Sequence, residues 1–431
     1  MKTSIYRSTV ILALALLLTG CLTQKPKWMA EFLSDPDAFN HTFTNDSGMI
    51  LYAHELEGNL TIEHFDTTGT NTHTTSLQVT LDQSKGFIAL PSGNFFTSGN
   101  SPSSVSYVNT TAETFWQGAS ISPLQEGETF DIAGSYHYQG MIALYGAIQA
   151  DGSDTKGIIV IVDELGNESS SFSIDGVTRF NSVTTEPGGN IAIQTSTDQI
   201  ITLSDTFSEI GRFTLPSGQS LIALSLDHPV LLVSSGADIQ RVDASGIVEW
   251  TYDNPDISSL KGQSTDLNGN IVIWGDKGSF NVFNMKTDLA TYDKITVAGV
   301  RQWLFQSEDK MNVIKYVGID HRSNGDTTVS YQGWRGELAG LLIGGTTATP
   351  VRVTRMIQHD TISALGNRAT HRVEPSRTEV YAQCGFLCIG ITSETEGHCE
   401  SLDVAYINKN IATVSKVCGA ENEDTVKVSY F

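Results

Sequence analysis

Short apolar stretches recur along most of the chain, and each is followed by residues that favour tight turns. Many of them begin directly after a glycine, as at Gly48, Gly93, Gly140, Gly189 and Gly269. Apolar or alternating runs of about four to eight residues, bounded by Gly, Asn, Asp and Ser, are typical of β-strands. No long stretch shows the 3.6-residue spacing of an amphipathic helix. The pattern therefore predicts an all-β protein.

A second strand follows each of these stretches and usually ends in an apolar residue and then Asp or Asn. The endings are Phe65-Asp66, Val108-Asn109, Val162-Asp163, Leu203-Ser204, Val242-Asp243 and Phe283-Asn284. Successive endings lie between 39 and 54 residues apart, and we assign the longest step to a loop at 149–157. A repeat of ~40–45 residues with about four strands is the period of a β-propeller. We expect about eight four-stranded blades, with seven as the alternative.

Two repeats share a further motif, a tryptophan seven residues after the Asp or Asn. Trp116 follows Asn109 at this spacing, and Trp250 follows Asp243. The motif resembles the quinoprotein-like (PQQ/WD40-like) propeller family. In that family the tryptophan packs between adjacent blades, so the resemblance implies a structural role for both residues. The remaining repeats have other residues at this position, so the chain resembles a divergent member of the family. These residues are His73, Ser170, Gly211 and Thr291.

The N-terminus has the three zones of an export signal. Lys2 and Arg7 supply positive charge, residues 10–18 are apolar, and the sequence Leu-Thr-Gly then leads to Cys21. The apolar run is about half of the ~20 residues that a membrane-spanning helix needs. The ending resembles the bacterial lipobox, which implies cleavage before Cys21 and lipid attached to that cysteine. An ordinary secreted protein with an early cysteine is the alternative.

These features divide the chain into a signal peptide at 1–20, a lipid-anchored tether at 21–40 and a propeller at 41–431. Acyl chains on Cys21 would hold the protein firmly on a membrane, since each buried CH₂ contributes ~0.8 kcal/mol. Leu22, rather than Asp, follows the cysteine. By resemblance to Gram-negative sorting signals, this predicts the outer membrane, with the periplasmic face and the cell surface both open.

Charge and cysteine usage limit the partners. The chain has 26 basic and 48 acidic residues, a net charge of −22, which disfavours nucleic acid. Beyond Cys21 there are four cysteines: Cys384, Cys388, Cys399 and Cys418. An even set in an exported protein predicts two disulfides that staple 380–420, with three pairings open. A zinc site that includes His398 is the alternative, but the spacing fits no common zinc module.

Motifs for catalysis are not found. The sequence contains no H-E-x-x-H, G-x-S-x-G or P-loop motif, and no two cysteines are adjacent as in quinone-dependent dehydrogenases. We therefore predict no catalytic residue, no metal and no cofactor. One basic segment, 352–377, is a candidate patch for an anion or an acidic partner, with a solvated loop as the alternative. Its arginines are Arg352, Arg355, Arg368, Arg372 and Arg377.

The sequence thus predicts an outer-membrane lipoprotein whose propeller is a non-catalytic binding or scaffold domain. Its partners would be the membrane, through lipid on Cys21, and envelope proteins or glycan. The alternative function is a propeller that binds or cleaves polysaccharide. Both functions rest on analogy at the level of the fold. This analogy does not choose between them, because propellers serve many functions.

Overall fold

The computed structural model describes residues 27–33, 38–122, 124–186, 189–225, 230–235, 238–266, 268–280, 286–306, 311–321, 327–337, 352–362, 368–378, 397–407, 410–418 and 425–430. These residues are almost entirely β-strand. A single-turn 3₁₀ helix spans Pro102–Ser104. Within the ranges given, no helix has the length and apolar character needed to cross a bilayer.

The strands are numbered in chain order. They are β1 (Trp28–Leu33), β2 (Asn40–Thr44), β3 (Ile50–Leu56), β4 (Asn59–Phe65), β5 (Asn71–Leu77), β6 (Gly86–Ala89), β7 (Phe95–Ser98), β8 (Ser106–Asn109), β9 (Thr114–Gln117), β10 (Glu128–Tyr138), β11 (Met141–Ala150), β12 (Ser153–Val162), β13 (Glu168–Ser173), β14 (Phe180–Thr185), β15 (Ile191–Thr195), β16 (Gln199–Leu203), β17 (Glu209–Thr214), β18 (Ser220–Ser225), β19 (Val230–Ser235), β20 (Asp238–Val242), β21 (Val248–Tyr252), β22 (Ser259–Thr265), β23 (Ile271–Phe280), β24 (Lys286–Ile295), β25 (Arg301–Gln306), β26 (Met311–His321), β27 (Thr327–Glu337), β28 (Arg352–Ile362), β29 (Arg368–Thr378), β30 (Gly397–Ile407), β31 (Asn410–Cys418) and β32 (Thr425–Tyr430).

Five consecutive sheets between Asn40 and Tyr252 form propeller blades. Each has four antiparallel strands in chain order: sheet 1 is β2–β5, sheet 2 is β6–β9, sheet 3 is β10–β13, sheet 4 is β14–β17 and sheet 5 is β18–β21. Three more four-stranded sheets follow, namely sheet 6 (β22–β25), sheet 7 (β26–β29) and sheet 8 (β30, β31, β32 and β1). The predictions of an all-β fold and of four-stranded propeller blades are confirmed. The total number of blades stays a prediction.

The core consists of apolar layers between neighbouring sheets. One layer joins Phe96 of sheet 2 to Ile142 and Val160 of sheet 3, all buried. The next layer joins Ile159 of sheet 3 to Ile193 of sheet 4. Because side chains alternate between the two faces of a strand, adjacent residues such as Ile159 and Val160 serve different layers. A four-stranded sheet is stable here because neighbours cover both of its faces.

In each sheet the strands run alternately up and down, so the connections between them lie at the two ends of the strands. These two ends define two faces of the propeller. We call the face with the turns between the third and fourth strands of each sheet the lower face. The upper face has the connections from the fourth strand of one sheet to the first strand of the next, and those between second and third strands. The lower turns of sheets 1, 3 and 5 have a common design. Asp163 Oδ1 accepts hydrogen bonds from the backbone N–H of Leu165 and of Asn167, both 2.9 Å, and Gly166 has a φ of +82° that suits glycine.

The N-terminal region differs from the prediction. Residues 28–33 were assigned to the tether at 21–40, but they form β1, which pairs antiparallel with β32 from Trp28↔Tyr430 to Leu33↔Thr425. This strand completes sheet 8 as its outermost member. The apolar residues of β1 explain this, because Trp28 and Phe32 cover Phe65 and Val426 in a layer shared by sheets 8 and 1.

Two features of the repeat also need correction. The long step was assigned to a loop at 149–157, but β11 and β12 are simply long and meet in a tight turn at Asp151 and Gly152, with φ of 51° and 73°. In sheet 6 the third strand was expected to end at Phe283-Asn284. That position lies outside the described residues, and β24 ends at Ile295, before a turn that opens at Thr296.

Candidate functional site

An open depression lies between sheets 2 and 3, where two upper-face connections meet. Its cavity volume is about 480 Å³. One wall comes from the connection between β7 and β8, and the other from the connection between β9 and β10. The lining residues are Ser101, Pro102, Ser103, Gly118, Ala119, Ser120, Leu124, Glu128, Thr129 and Phe130.

Backbone hydrogen bonds join the two walls. Ser101 is the N-cap residue of the 3₁₀ helix, and its backbone N–H donates to Ser104 Oγ at 3.2 Å. Ala119 N donates to the carbonyl of Pro102 at 2.9 Å, which ties the second wall to the helix. Phe130 closes the floor and is part of the buried layer between sheets 2 and 3. The depression is therefore held in shape by the fold.

The chemistry of the lining is neutral and acidic. Hydroxyl groups come from Ser101, Ser103, Ser120 and Thr129, and Glu128 supplies one carboxylate. Glu128 Oε2 accepts a hydrogen bond from Gln125 N at 2.8 Å. None of the described lining residues is a lysine or an arginine, so a phosphate or another anion is a poor match. A ligand with exposed hydrogen-bonding groups beside apolar surface, such as an extended peptide, is a good match.

Several carboxylates at the joints between sheets are occupied by arginine. Arg179, in the connection that enters sheet 4, contacts Asp131 at 2.6 Å and Asp154 at 3.3 Å, both in sheet 3. Burial lowers the pKa of Arg179, but hydrogen bonding and charge attraction from the two aspartates more than offset this, so that the pKa is raised. Arg179 therefore joins sheet 4 to sheet 3.

A second network joins sheets 5 and 6. Asp293 of β24 is fully buried and accepts hydrogen bonds from Tyr252 Oη at 2.6 Å and from Arg301 Nη2 at 2.7 Å. Arg301 Nη2 also donates to Asp256 Oδ2 at 2.8 Å. Burial raises the pKa of Asp293 although Arg301 and Tyr252 oppose the rise. The acid, the phenol and the guanidinium satisfy one another, as buried polar groups must.

A third polar cluster lies at the lower end of sheets 6 and 7. Lys294 Nζ contacts Asp266 Oδ2 at 2.7 Å, and the two side chains are 1% and 3% exposed. Burial raises the pKa of Asp266, but the hydrogen bond from Lys294 and others outweigh it, leaving that pKa lowered. Nearby, His321 is within hydrogen-bond distance of Ser264 Oγ at 2.9 Å and Thr327 Oγ1 at 3.1 Å. Burial lowers the pKa of His321 to about 4.

Trp116 and Trp250 lie between adjacent sheets. Trp116 Nε1 donates to the carbonyl of Glu164 at 2.8 Å, and its ring lies over Gly166 in the lower turn of sheet 3. Trp250 Nε1 donates to the carbonyl of Val297 at 3.1 Å. Its ring lies over Gly299 in the lower turn of sheet 6. The geometry is that of an inter-blade contact in which an outermost strand holds the next turn.

Other members of this contact were missed by sequence analysis. Trp28 lies over Gly69 of sheet 1 and Phe213 over Gly246 of sheet 5, while Phe172 stacks on Phe207 at 5.1 Å. Phe172 and Phe213 stand nine rather than seven residues after the start of the turn. A shift of two residues keeps a side chain on the same face of the strand. In sheet 6 the turn opens at Thr296, so Trp303 rather than Thr291 has the offset of seven.

The predicted site residues are only partly within reach of the structure. Cys21, Cys384 and Cys388 lie outside the described residues. Cys399 and Cys418 lie on the neighbouring antiparallel strands β30 and β31, in which Gly397 pairs with Cys418. No group of three or more His, Cys, Asp or Glu that could hold a metal occurs among the residues described.

The basic segment is a strand pair and not the solvated loop that was its alternative. Arg352 and Arg355 are on β28, whereas Arg368, Arg372 and Arg377 are on the adjacent β29. The register pairs Ile362 with Arg368 and Thr354 with Arg377, so the arginines are spread along the hairpin. Strand positions do not bring all five together at one point, and the anion or partner patch stays a prediction.

Comparisons with known proteins agree with a propeller. No family model matches the sequence, and no curated protein matches it. The C-terminal WD40 domain of Sif2 is similar in structure, with a TM-score of 0.50 and 10% identity over 94% of this chain and 99% of that chain. Virginiamycin B lyase from Staphylococcus aureus has a TM-score of 0.42, with 11% identity over 70% of this chain and 95% of that chain. The WD40 propeller domain of Doa1 has a TM-score of 0.38, with 10% identity over 94% and 96%.

At these identities the likeness concerns the fold alone. The four-stranded sheets, their order and the similarity to the Sif2 domain define the class of this protein as a β-propeller.

Proposed function

We propose that the chain is a lipid-anchored, non-catalytic binding or scaffold protein of the outer membrane, with the depression between sheets 2 and 3 as its contact surface. The observation that carries the proposal is the shape and lining of this depression: a wide, rigid opening with hydroxyls, one carboxylate and an apolar floor. A propeller with such a rigid, solvent-facing surface suits the docking of a protein segment.

The arrangement of charges supports a scaffold. Asp131 and Asp154 are bound by Arg179, and Asp256 and Asp293 are bound by Arg301. Each of these carboxylates is paired with an arginine, and the ion pairs join neighbouring sheets. A catalytic acid needs a proton to give or to take, which a carboxylate locked in an ion pair does not readily provide.

We further propose that all eight sheets are blades of one closed ring, which makes the body an eight-bladed member of the divergent quinoprotein-like group. Buried apolar layers join each sheet to the next from sheet 8 through sheet 1 to sheet 7. The innermost strands β26 and β30 of sheets 7 and 8 also contact each other. These contacts leave no gap in the order of sheets.

The test compares two arginine substitutions at exposed serines of the upper face. Ser103→Arg places a long cation at the mouth of the depression, whereas Ser217→Arg makes the same change in the connection between sheets 4 and 5. We expect an envelope protein to copurify with the wild type and with Ser217→Arg after detergent solubilisation, and to be lost from Ser103→Arg. Equal recovery with all three proteins would contradict the assignment of the contact surface.

The polysaccharide alternative has its own readout. The hydroxyls and Glu128 could also face a sugar. If the purified protein releases oligosaccharide from an envelope polysaccharide, and Glu128→Gln does not, the non-catalytic proposal is wrong. Mass spectrometry of the mature N-terminus tests the lipid on Cys21 separately.

A further inference from the structure

The exposed large apolar side chains are not scattered over the propeller. Single exposed apolar residues are normal on any protein surface. Here, however, all of those found in the described part of the chain belong to outermost strands or to the lower turns that lead into them. They are Met29, Phe115, Leu165, Ile210, Ile247, Val248, Val300 and Leu304.

Three of these residues are the most exposed and occupy equivalent turns. Leu165 is 78% exposed in sheet 3, Ile247 is 65% exposed in sheet 5 and Val300 is 62% exposed in sheet 6. Each is the residue directly before or after the glycine of its lower turn. Met29, by contrast, is the second residue of β1 in sheet 8. These positions thus follow the lower rim around much of the propeller. We call Leu165, Ile247, Val300 and Met29 the rim residues.

The N-terminus leaves the propeller at the same rim. β1 begins at Trp28, whose ring lies over Gly69 in the lower turn of sheet 1. The chain between Cys21 and Trp28 is short. At about 3.3–3.6 Å per residue, a fully extended segment of this length spans at most about 25 Å. An anchor on Cys21 is therefore attached to the propeller at its lower rim.

We infer that the lower face lies against the membrane, with the rim residues in contact with lipid at the interface, and that the depression points away from it. This inference rests on the proposed lipid on Cys21. The occupant of the rim is a lipid surface because a lipid on Cys21 lies in a bilayer only a short length of chain away, and the exposed side chains of the rim are apolar. The net charge of −22 opposes adsorption to anionic lipid. Contact therefore depends on the anchor and on the apolar turn tips.

The experiment uses the full-length lipidated protein in phosphatidylcholine vesicles that contain a nitroxide-labelled phosphatidylcholine. A fluorescent amino acid replaces either Leu165, in the lower turn of sheet 3, or Ser153, at the upper turn of the same sheet. Both positions are exposed, so the pair differs mainly in the face it reports. We expect the nitroxide lipid to quench the fluorophore at position 165 and to leave the one at position 153 unchanged.

The outcomes separate this inference from the proposed function. Equal quenching at the two positions, or stronger quenching at position 153, overturns the orientation while the lipoprotein assignment stands. A mature N-terminus without acyl chains, as read by mass spectrometry, overturns both. A triple variant, Leu165→Ser, Ile247→Ser and Val300→Ser, with the label at Met29, gives an independent check. If the rim touches lipid, the triple variant should show weaker quenching of the fluorophore at position 29 than the protein without these substitutions. Unchanged quenching would show that the tether alone holds the protein at the membrane, which contradicts contact between the rim and lipid.

Discussion

Replacing Lys294 with methionine would leave the carboxylate of Asp266 buried without its cation. In the native protein the two groups are 2.7 Å apart and almost completely excluded from solvent. Methionine keeps the length and apolar stem of lysine, so the substitution removes the charge with little change in packing. Removal of one partner of a buried ion pair costs about 3–5 kcal/mol, because the remaining charge stays desolvated. We expect a loss of this size in the free energy of unfolding at neutral pH.

A second substitution should restore most of the loss. Asp266 Oδ1 also accepts hydrogen bonds from the backbone N–H of Asn268 and Asn270, both 2.9 Å. Asparagine at position 266 keeps an oxygen for these bonds and has no charge. The double variant Lys294→Met/Asp266→Asn is therefore expected to lie within about 1–2 kcal/mol of the wild type, since a buried pair replaced as a whole is often nearly neutral.

The pH dependence gives a further check with a definite sign. The folded pKa of Asp266 is below its ordinary value, so its contribution is present above the unfolded pKa and is lost as pH falls through the folded pKa. Lys294 is the largest of the causes that lower the pKa of Asp266 against the effect of burial, so its removal raises that pKa relative to the wild type. The Lys294→Met variant should then gain stability relative to the wild type as the solution is acidified.

The assay is urea unfolding followed by tryptophan fluorescence at several pH values. Lys261→Met is the matched control in the same sheet, because Lys261 is half-exposed and contacts Asp276 at 3.4 Å. A surface pair of this kind contributes at most about 1 kcal/mol. The reasoning is refuted if Lys294→Met and Lys261→Met have equal effects, or if the double variant is as unstable as Lys294→Met.

Two other predictions concern the joints between sheets. Gly166→Ala should destabilise the protein by about 1–3 kcal/mol more than Gly152→Ala. Both glycines have a left-handed backbone, but only at position 166 would the new Cβ meet a ring, that of Trp116 at 3.0 Å. Equal melting temperatures of the two variants would contradict the role of Trp116. His321 has a folded pKa of about 4 against an ordinary value of 6.5, so the unfolded chain binds more protons between these values and stability should rise with pH across this window. His321→Gln should flatten that rise in urea midpoints, and an unchanged slope would place its origin elsewhere.

Much of the fold was predictable because its signals are local. The turn after Asp163 recurs after Asp66 and Asp243, and its Asp and Gly serve backbone hydrogen bonds within five residues. Trp116 and Trp250 were found because their spacing to the turn is short. Phe172 and Phe213 were missed because a shift by two residues leaves a side chain on the same strand face while it breaks a motif of fixed spacing.

The rest depended on contacts between distant segments. The pairing of β1 with β32 leaves no local trace, and residues 28–33 therefore read as part of a tether. The depression is likewise the meeting of two connections whose serines and alanines have no distinctive pattern. The partners of Asp293 and Asp266 could not be foreseen either, since burial depends on how neighbouring sheets pack.

The joint between β1 and β32 also sets the order in which the protein can be completed. β1 finds its hydrogen-bonding partner only when β32, far along the chain, has been made. Until then its backbone groups lack their final partners, and the outer edge of sheet 8 is open to pairing with other chains. A newly made molecule thus passes through a stage in which protection of this edge by a chaperone would favour correct assembly. Truncation of a few C-terminal residues would prolong that stage indefinitely.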